Sequence, residues 1–451
     1  MHTADDAQYR KMTETPIDKL IINLGIPTLI SMLITSIYNM ADTAFVGEIG
    51  TSASGAIGVV FGYMAILQAV AFMFGQGSGS LIARMLGKKE MEDASRIAST
   101  GFFTAVGIGI LITILSLIFM DPLLMFLGST ETILPHARSY CICIAFGAPF
   151  IMGSYVLNNI LRFEGLAIKA MIGLVSGAVL NIVLDPILIF GFGMGTAGAG
   201  IATAFSQMVG FCILLSMFIR GITQSRISIF KYTRKPIDLW NIISIGFPSL
   251  IRQALASIAT IILNRCAREY GDAAVAAMAI VSRISMFVFS IALGFGQGFQ
   301  PVCSFNYGAE KYSRVREAFR FTLKITMIFM AFASVVIFAG SPLLVKLFRN
   351  DPEVIEIGTK GLRYACVVMV LQPVTVLSNM TLQSTGKSLS ASLLAMMRSG
   401  VFFIPILLLL NQMIGLKGIE VAQPIADVFT AVVSIPFIAV FFKQLPTGKN
   451  I

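Results

Sequence analysis

The sequence predicts an all-α polytopic membrane protein: twelve transmembrane helices in two six-helix lobes related by a parallel internal repeat. Three observations carry that prediction. The 451 residues are 56% hydrophobic and only 12% charged, with a mean hydropathy of +0.84, whereas a globular protein carries about 25% charged residues. The apolar residues gather into segments long enough to cross a bilayer. The chain also matches itself when displaced by about 221 residues. This composition excludes a soluble multi-domain enzyme, a disordered chain, a coiled coil and a secreted disulfide scaffold.

A spanning helix takes about 20 mostly apolar residues. Residues 1–19 are polar and include Asp5, Asp6 and Glu14, so they form a cytoplasmic N-tail with no cleavable signal. Six apolar segments follow, at 20–46, 53–81, 97–120, 137–160, 168–190 and 196–219, and make an N-lobe over 20–219. Residues 220–240 gather Arg220, Arg226, Lys231, Arg234 and Lys235 around Pro236 and read as a linker. Spans seven to twelve, at 241–266, 273–303, 319–346, 359–383, 389–411 and 417–442, make a C-lobe over 241–442, and 443–451 is the C-tail. Loops this short leave no room for a soluble domain.

Twelve spans put both termini on one side, so the net charge of +10 is tested against topology before it is read as a sign of nucleic acid. The loops and tails on the side of the termini, with their flanks, hold 23 Lys and Arg. The opposite side holds eight, and Arg252 and Arg283 lie within spans. The excess places both termini in the cytoplasm of a multi-pass protein of the bacterial inner or plasma membrane, with the lipid bilayer and not nucleic acid as its large partner.

The repeat is specific. Gly25-x-Pro27 returns as Gly246-x-Pro248, Phe74-Gly75-Gln76-Gly77 as Phe295-Gly296-Gln297-Gly298, and Gly165 as Gly386. Six spans per repeat is an even number, so the halves share one orientation, and a site is expected between or within them. Several resemblances to chemistry dissolve in this setting. Gly193-Met-Gly195-Thr-Ala-Gly198 lacks the strands and the following acid of a dinucleotide site. Gly386-Lys387-Ser388 lacks the P-loop glycine, Thr381 standing in its place. His2 and His136 are too few for a histidine metal site, and the six cysteines read as unpaired, buried small hydrophobes. No cofactor and no structural metal is expected. The 24 Met and 35 Phe read mostly as lipid-facing and core residues, so substrate identity is not legible in them.

The informative residues are the acids inside spans, since an aspartate near a helix centre costs about 2.5–3.5 kcal/mol on insertion scales. They are Asp42, Asp185 and Asp427. Asn181 and Asp185 share a helix face, and Pro186 frees the Ile182 carbonyl, so a kink presents a carboxylate, an amide and a carbonyl to one cavity. Such a group suits a proton or Na⁺. In the second repeat, Leu263 stands at the position of Asp42 and Ile404 precedes Pro405, so coupling carboxylates belong to the N-lobe alone. Asp427 either lines the C-lobe cavity or pairs with Arg283.

At these residues the sequence resembles the multidrug and toxic compound extrusion (MATE) family, over about residues 15–440, most nearly its bacterial MepA-like and DinF-like branch. The resemblance rests on Ala41-Asp42-Thr43-Ala44-Phe45-Val46-Gly47, Asn181-x3-Asp185-Pro186, the two Phe-Gly-Gln-Gly motifs and the twelve-span repeat. It implies the MATE fold and export of amphipathic, often cationic, drugs and toxic compounds by antiport against H⁺ or Na⁺; the two similar lobes are themselves the architecture of alternating access, and a monomer is expected. By the same resemblance Asp42, Asn181, Asp185 and Thr203 match cation-binding residues. Tyr140 and Asn158 match polar residues of the substrate cavity, and Pro27 matches the proline where span 1 bends. Some relatives carry acids in spans 7 and 10, where this chain has Gln253 and Gln372. Competing assignments are a flippase for lipid-linked saccharides of the same superfamily, which calls for extra spans and a cationic central cavity, a membrane-embedded enzyme and a channel. No enzyme constellation is present beyond Asp42 and Asp185, and the lobe repeat disfavours a channel.

Overall fold

The apolar segments fold as helices, and in a computed structural model that describes residues 2–446 no strand occurs among the described residues. The first repeat contains α2 (Ile17–Gly47), α3 (Thr51–Gly87), α4 (Met91–Ile118), the short α5 (Met120–Phe126), α6 (Leu134–Phe163), α7 (Ala167–Pro186) and α8 (Gly195–Ile219). The second contains α9 (Pro236–Arg268), α10 (Asp272–Gly308), α11 (Tyr312–Phe348), α12 (Pro352–Met369), α13 (Gln372–Ser384), α14 (Ser388–Met396), α15 (Phe403–Ile414) and α16 (Leu416–Gln444). Among the described residues eleven stretches are long and apolar enough to cross a bilayer unbroken, and α12 with α13 brings the number to twelve.

This pair, the tenth span in chain order, corrects the single helix expected over 359–383. It is bent by 54° at Val370–Leu371. Pro373, in the first turn of α13, has no N–H to continue the ladder, and its ring disfavours helical backbone at the residue before it. The fifth span of each repeat carries a π turn instead of a break, at Ile187–Gly191 and at Met397–Phe402. Pro186 itself stays helical, and the wider turn follows it directly. Helix α2 likewise runs unbroken through Pro27.

The repeat is conformational as well as sequential. Lys89 and Glu310, at equivalent positions in the two repeats, both take left-handed backbone, at φ 65° and 59°. The repeated glycines Gly165 and Gly386 are both at φ 80°. Contacts divide the chain into one unit of residues up to Met12 with Ile30–Leu250, and a second of Thr13–Leu29 with everything from Ile251. Each unit thus includes the opening turns of the other half's first span. The repeated glycines are the reason. In the first unit a Cβ on Gly246 would collide with the Met73 carbonyl, and one on Gly77 with the Ile242 carbonyl. In the second, a Cβ on Gly298 would collide with the backbone of Gly25. Small residues let helix backbones approach this closely in a membrane, where close packing replaces the hydrophobic effect. Gly246→Ala is therefore expected to cost about 1–3 kcal/mol, and Gly107→Ala, at an exposed glycine with nothing within 4 Å, to be neutral or slightly stabilising. Thermal unfolding of the purified protein in detergent measures both.

Within the first unit α6 is central, packed on α3, α4, α7 and α8. In the second, α10 packs on α11, α12 and α13, and α16 on α12, α13 and α15. The outward faces are apolar. On α4 the exposed residues Ile110, Leu111, Ile114, Leu115 and Ile118 form one helical stripe, and on α11 so do Phe332, Val335 and Val336. Stripes of this size are anomalous in water and ordinary in lipid. The protein is a multi-pass membrane protein.

Two segments expected as tail and linker are ordered. Residues His2–Glu14 form α1, where the polar sequence predicts only a tail. Gln8 donates to the Glu164 carbonyl at 2.7 Å, Lys89 lies 3.7 Å from Asp6 and over the Tyr9 ring, and Met12 is fully buried. The linker is laid along the start of α4. The backbone amides of Arg226, Ser228 and Thr233 donate to the hydroxyls of Ser95, Ser99 and Thr100, each at 3.1 Å. The Glu164 carboxylate accepts the amides of Gln224 and Ser225, and Asp238 accepts from Arg96. Of the expected tails, Met1 and residues 447–451 lie outside the described residues. Cys212 is exposed, against the expectation that all six cysteines are buried, because it falls on the outward side of α8.

Candidate functional site

A polar stripe on an apolar span is costly in lipid, so where several spans carry one the stripes turn inward and meet. In the first unit α2 contributes Thr35, Tyr38 and Asp42 at helical spacing, α7 contributes Asn181 and Asp185, and α8 contributes Thr203, Ser206 and Gln207. Asp42, Asp185, Asn181 and Thr203 are all buried, at 1%, 0%, 1% and 1% exposure.

These side chains join into one chain of hydrogen bonds. The Tyr140 hydroxyl donates to Asp42 Oδ2 at 3.0 Å and lies 3.4 Å from Thr203 Oγ1. With its amide oxygen toward Thr203, Asn181 donates to Asp185 Oδ2 at 3.1 Å and accepts from the Thr203 amide at 3.3 Å, so that the Thr203 hydroxyl, 3.2 Å from the same oxygen, can give its one proton to Tyr140. This amide orientation is assigned from the network. It satisfies both ends of Asn181, which the reverse orientation does not. Asp42 Oδ1 is buried without a partner, and no Lys, Arg or His forms an ion pair with Asp42 or Asp185 among the described residues. A buried carboxylate without a counter-ion is costly, and two of them demand a proton or a cation.

Beside the network lies a cavity of about 40 Å³, lined by Thr35, Tyr38, Asn158, Asn181, Thr203 and Gln207 among others. That is room for a few waters. Asn181 and Thr203 are its shared wall, since both line the cavity and both belong to the network that holds the carboxylates behind it. The structure thus brings together Asp42, Asn181, Asp185, Thr203 and Tyr140, five of the residues singled out in the sequence. Tyr140 is fully buried with its hydroxyl on Asp42 and does not line the cavity. Asn158 lines the cavity but spends its amide on the Ala170 carbonyl at 2.8 Å. Asn379, its counterpart in the second repeat, makes the same bond to the Ala391 carbonyl at 2.6 Å, so this is a stitch between the fourth and fifth spans of each repeat. Tyr38, Gln207 and Ser206 escape the sequence reading. The signal is there nonetheless: they fall three or four residues from Asp42 and Thr203 on the same helix faces.

The second unit has an equivalent cavity, about 230 Å³, lined by Arg252, Gln253, Leu263, Phe289, Gln372, Asn379, Arg398 and Asp427 among others. Asp427 pairs with Arg398, Nε to Oδ1 at 3.0 Å, and also accepts from Gln423 at 2.8 Å and Gln372 at 2.9 Å. Of the two places expected for Asp427, the cavity lining is the one observed, and its ion pair is with Arg398 in place of Arg283, which is exposed on α10. The count of cytoplasmic charge includes Arg398 as a flank. It lies ten residues inside the Ser388–Ile414 span, which lowers the sidedness to 22 against eight.

A family model described as MatE matches residues 27–187 and again 248–409, so that each match opens on one of the repeated prolines, Pro27 and Pro248. The chain belongs to the MatE family. Multidrug export protein MepA of Staphylococcus saprophyticus is 26% identical over 446 residues, 98% of each chain. A MepA of Staphylococcus aureus is 27% identical over 449 residues, 99% of this chain and 98% of the relative. A solved MATE structure described as the outward-facing conformation of a multidrug resistance transporter is 28% identical, covers 96% of this chain and 98% of its own, and superposes with a TM-score of 0.92. MATE proteins are transporters, not enzymes, and the MATE architecture of two repeats is the one described above.

Proposed function

We propose that this MATE protein is a secondary active exporter of amphipathic, cationic compounds, coupled to protons by Asp42 and Asp185 and working by alternating access as a monomer, with both termini in the cytoplasm. The observation that carries the coupling is the pair of buried carboxylates with no basic partner. The relatives' multidrug export and the sidedness of Lys and Arg support the direction and class of transport.

The physics of the cycle follows from the network. Protonation on the outer side neutralises the carboxylates, and the Tyr140 hydroxyl and the Asn181 amide hold them in place through the exchange. Release of the proton inward leaves a negative site that attracts a cationic substrate, which must leave before the site is protonated again. One pH unit is worth about 1.4 kcal/mol per proton, or a tenfold concentration ratio. Exchange of one proton for one monovalent cation moves no net charge, so a pH gradient alone drives it. If both carboxylates are protonated in each cycle, one charge moves and the rate responds to membrane potential. The oxygens of Asp42, Asn181, Asp185 and Thr203 are also a donor set that Na⁺ accepts.

The test is efflux of a cationic dye from proteoliposomes under a pH gradient alone and under a Na⁺ gradient alone. Transport under the first and not the second is the expected result. Transport under Na⁺ alone replaces the proton with Na⁺ at the same residues, and transport under neither overturns the antiporter.

A further inference from the structure

The two cavities occupy equivalent positions in the repeats and differ in the charged groups beside them. In the first unit the acids stand without a base. In the second, Leu263 replaces the acid found at Asp42 and lines the cavity wall, and a base stands without an acid. That base is Arg252. It lies 16 residues from each end of α9, about 24 Å of helix rise either way, at the middle of the span. An arginine there costs about 2.5–3.5 kcal/mol on insertion scales and marks a functional site by default.

Among the described residues Arg252 makes one hydrogen bond, Nη1 to Asn379 Oδ1 at 3.3 Å, and no ion pair. Asn379 is held for this by its own amide, which donates to the Ala391 carbonyl. The guanidinium has five N–H donors, so four remain for whatever enters the cavity. The acids nearby do not supply the missing charge. Asp427 is engaged by Arg398, Gln372 and Gln423, with Arg398 as its ion-pair partner. Glu420 lines the cavity seven residues earlier on α16, about 10 Å of rise from Asp427, and makes no ion pair with Arg252. Arg398 adds a second guanidinium to the lining, stacked 4.0 Å from the Phe289 ring. The lining also includes the apolar Leu263, Met278, Leu293 and Phe403, Leu263 about 16 Å of helix rise from Arg252.

We infer that this cavity is a binding site for the anionic head of an amphiphile, a carboxylate or phosphate received by the Arg252 fork with its apolar part on the Leu263–Phe403 side. Planar guanidinium is the side chain best matched to either oxyanion, which it binds through two parallel hydrogen bonds. The occupant enters as a free amphiphile or as the head group of an anionic lipid; the chemistry at Arg252 is the same. The site does not depend on the identity of the coupling ion, so it stands or falls separately from the antiport mechanism.

The test is equilibrium binding of 11-(dansylamino)undecanoic acid and of its primary amide to the purified protein in phosphatidylcholine nanodiscs, with empty nanodiscs as background. The acid is expected to bind at least about tenfold more tightly than the amide, the difference that one charge-assisted bidentate contact provides. Arg252→Gln should bring the two within about twofold, and Arg252→Lys should keep part of the preference. Each variant is first checked for wild-type thermal stability, and the two variants together keep the test decisive if one fails to fold. Nanodiscs containing phosphatidylglycerol separate the sources: competition in wild type that is absent in Arg252→Gln assigns the occupant to a lipid head group, and no competition assigns it to a free amphiphile. Equal binding of acid and amide to the wild type, or an undiminished preference in Arg252→Gln, overturns the inference.

Discussion

Asp185→Asn and Asp42→Asn are each expected to reduce gradient-driven efflux of a cationic dye to the level of protein-free vesicles while leaving the protein folded. The argument is one of charge. Each substitution keeps shape and much of the hydrogen bonding, since the Asn181 amide and the Tyr140 hydroxyl still find an oxygen at the substituted residue. What is lost is the ability to take up and give back a proton. Stability should hold or rise, because an unpaired buried carboxylate is replaced by a neutral group. Loss of transport with an unchanged melting temperature is thus the signature of coupling, and loss of both is the signature of damage. Normal efflux by both variants would sink the carboxylate mechanism. Tyr140 and Thr203 connect the two carboxylates, so the effects of Asp42→Asn and Asp185→Asn should not add.

The second large effect concerns the ion pair of the second unit. Asp427 is buried and rests on Arg398, Gln423 and Gln372, whose donors meet its two oxygens. Arg398→Met removes its ion-pair partner and leaves a buried charge with two neutral amides, a change worth about 3–5 kcal/mol of destabilisation. Adding Asp427→Leu to that variant removes the stranded charge and should recover most of the loss, as buried pairs replaced by apolar residues commonly do. Thermal unfolding of the two single variants and the double variant gives the coupling directly. A double variant no more stable than Arg398→Met would show that the stranded Asp427 carboxylate is not the source of the loss.

Much of the site is legible in the amino-acid sequence, because charge and amide groups are so expensive in a bilayer that few are present by accident. Asp42 and Asp185 stand out on cost alone, and Asn181 by its spacing from Asp185. Tyr38 and Gln207 do not, since Tyr and Gln are tolerated in spans and only their alignment with Asp42 and Thr203 gives them meaning. The family resemblance groups Tyr140 and Asn158 as cavity residues, although they stand toward opposite ends of α6. The structure gives Tyr140 to Asp42 and Asn158 to the Ala170 carbonyl. Arg398 reads as a membrane-edge charge because a single cation beside a span looks like a flank until its partner, on α16, is seen.

The sequence alone determined the number of crossings, the two-fold repeat and which acids matter. Those follow from local physics: the length needed to span lipid, the offset between like motifs and the cost of burying a charge. Tertiary structure decided everything that depends on which surfaces meet. It bent the tenth span at Pro373, packed Gly25 against Gly298 and Gly246 against Met73, ordered α1 and the linker, and gave Asp427 to Arg398. It also left Arg252 without an ion pair among the described residues, in the cavity equivalent to the one beside Asp42 and Asp185. A pattern along the chain can show that a group is costly to bury, but only its neighbours in space determine whether that cost is met by a partner, a proton or a ligand.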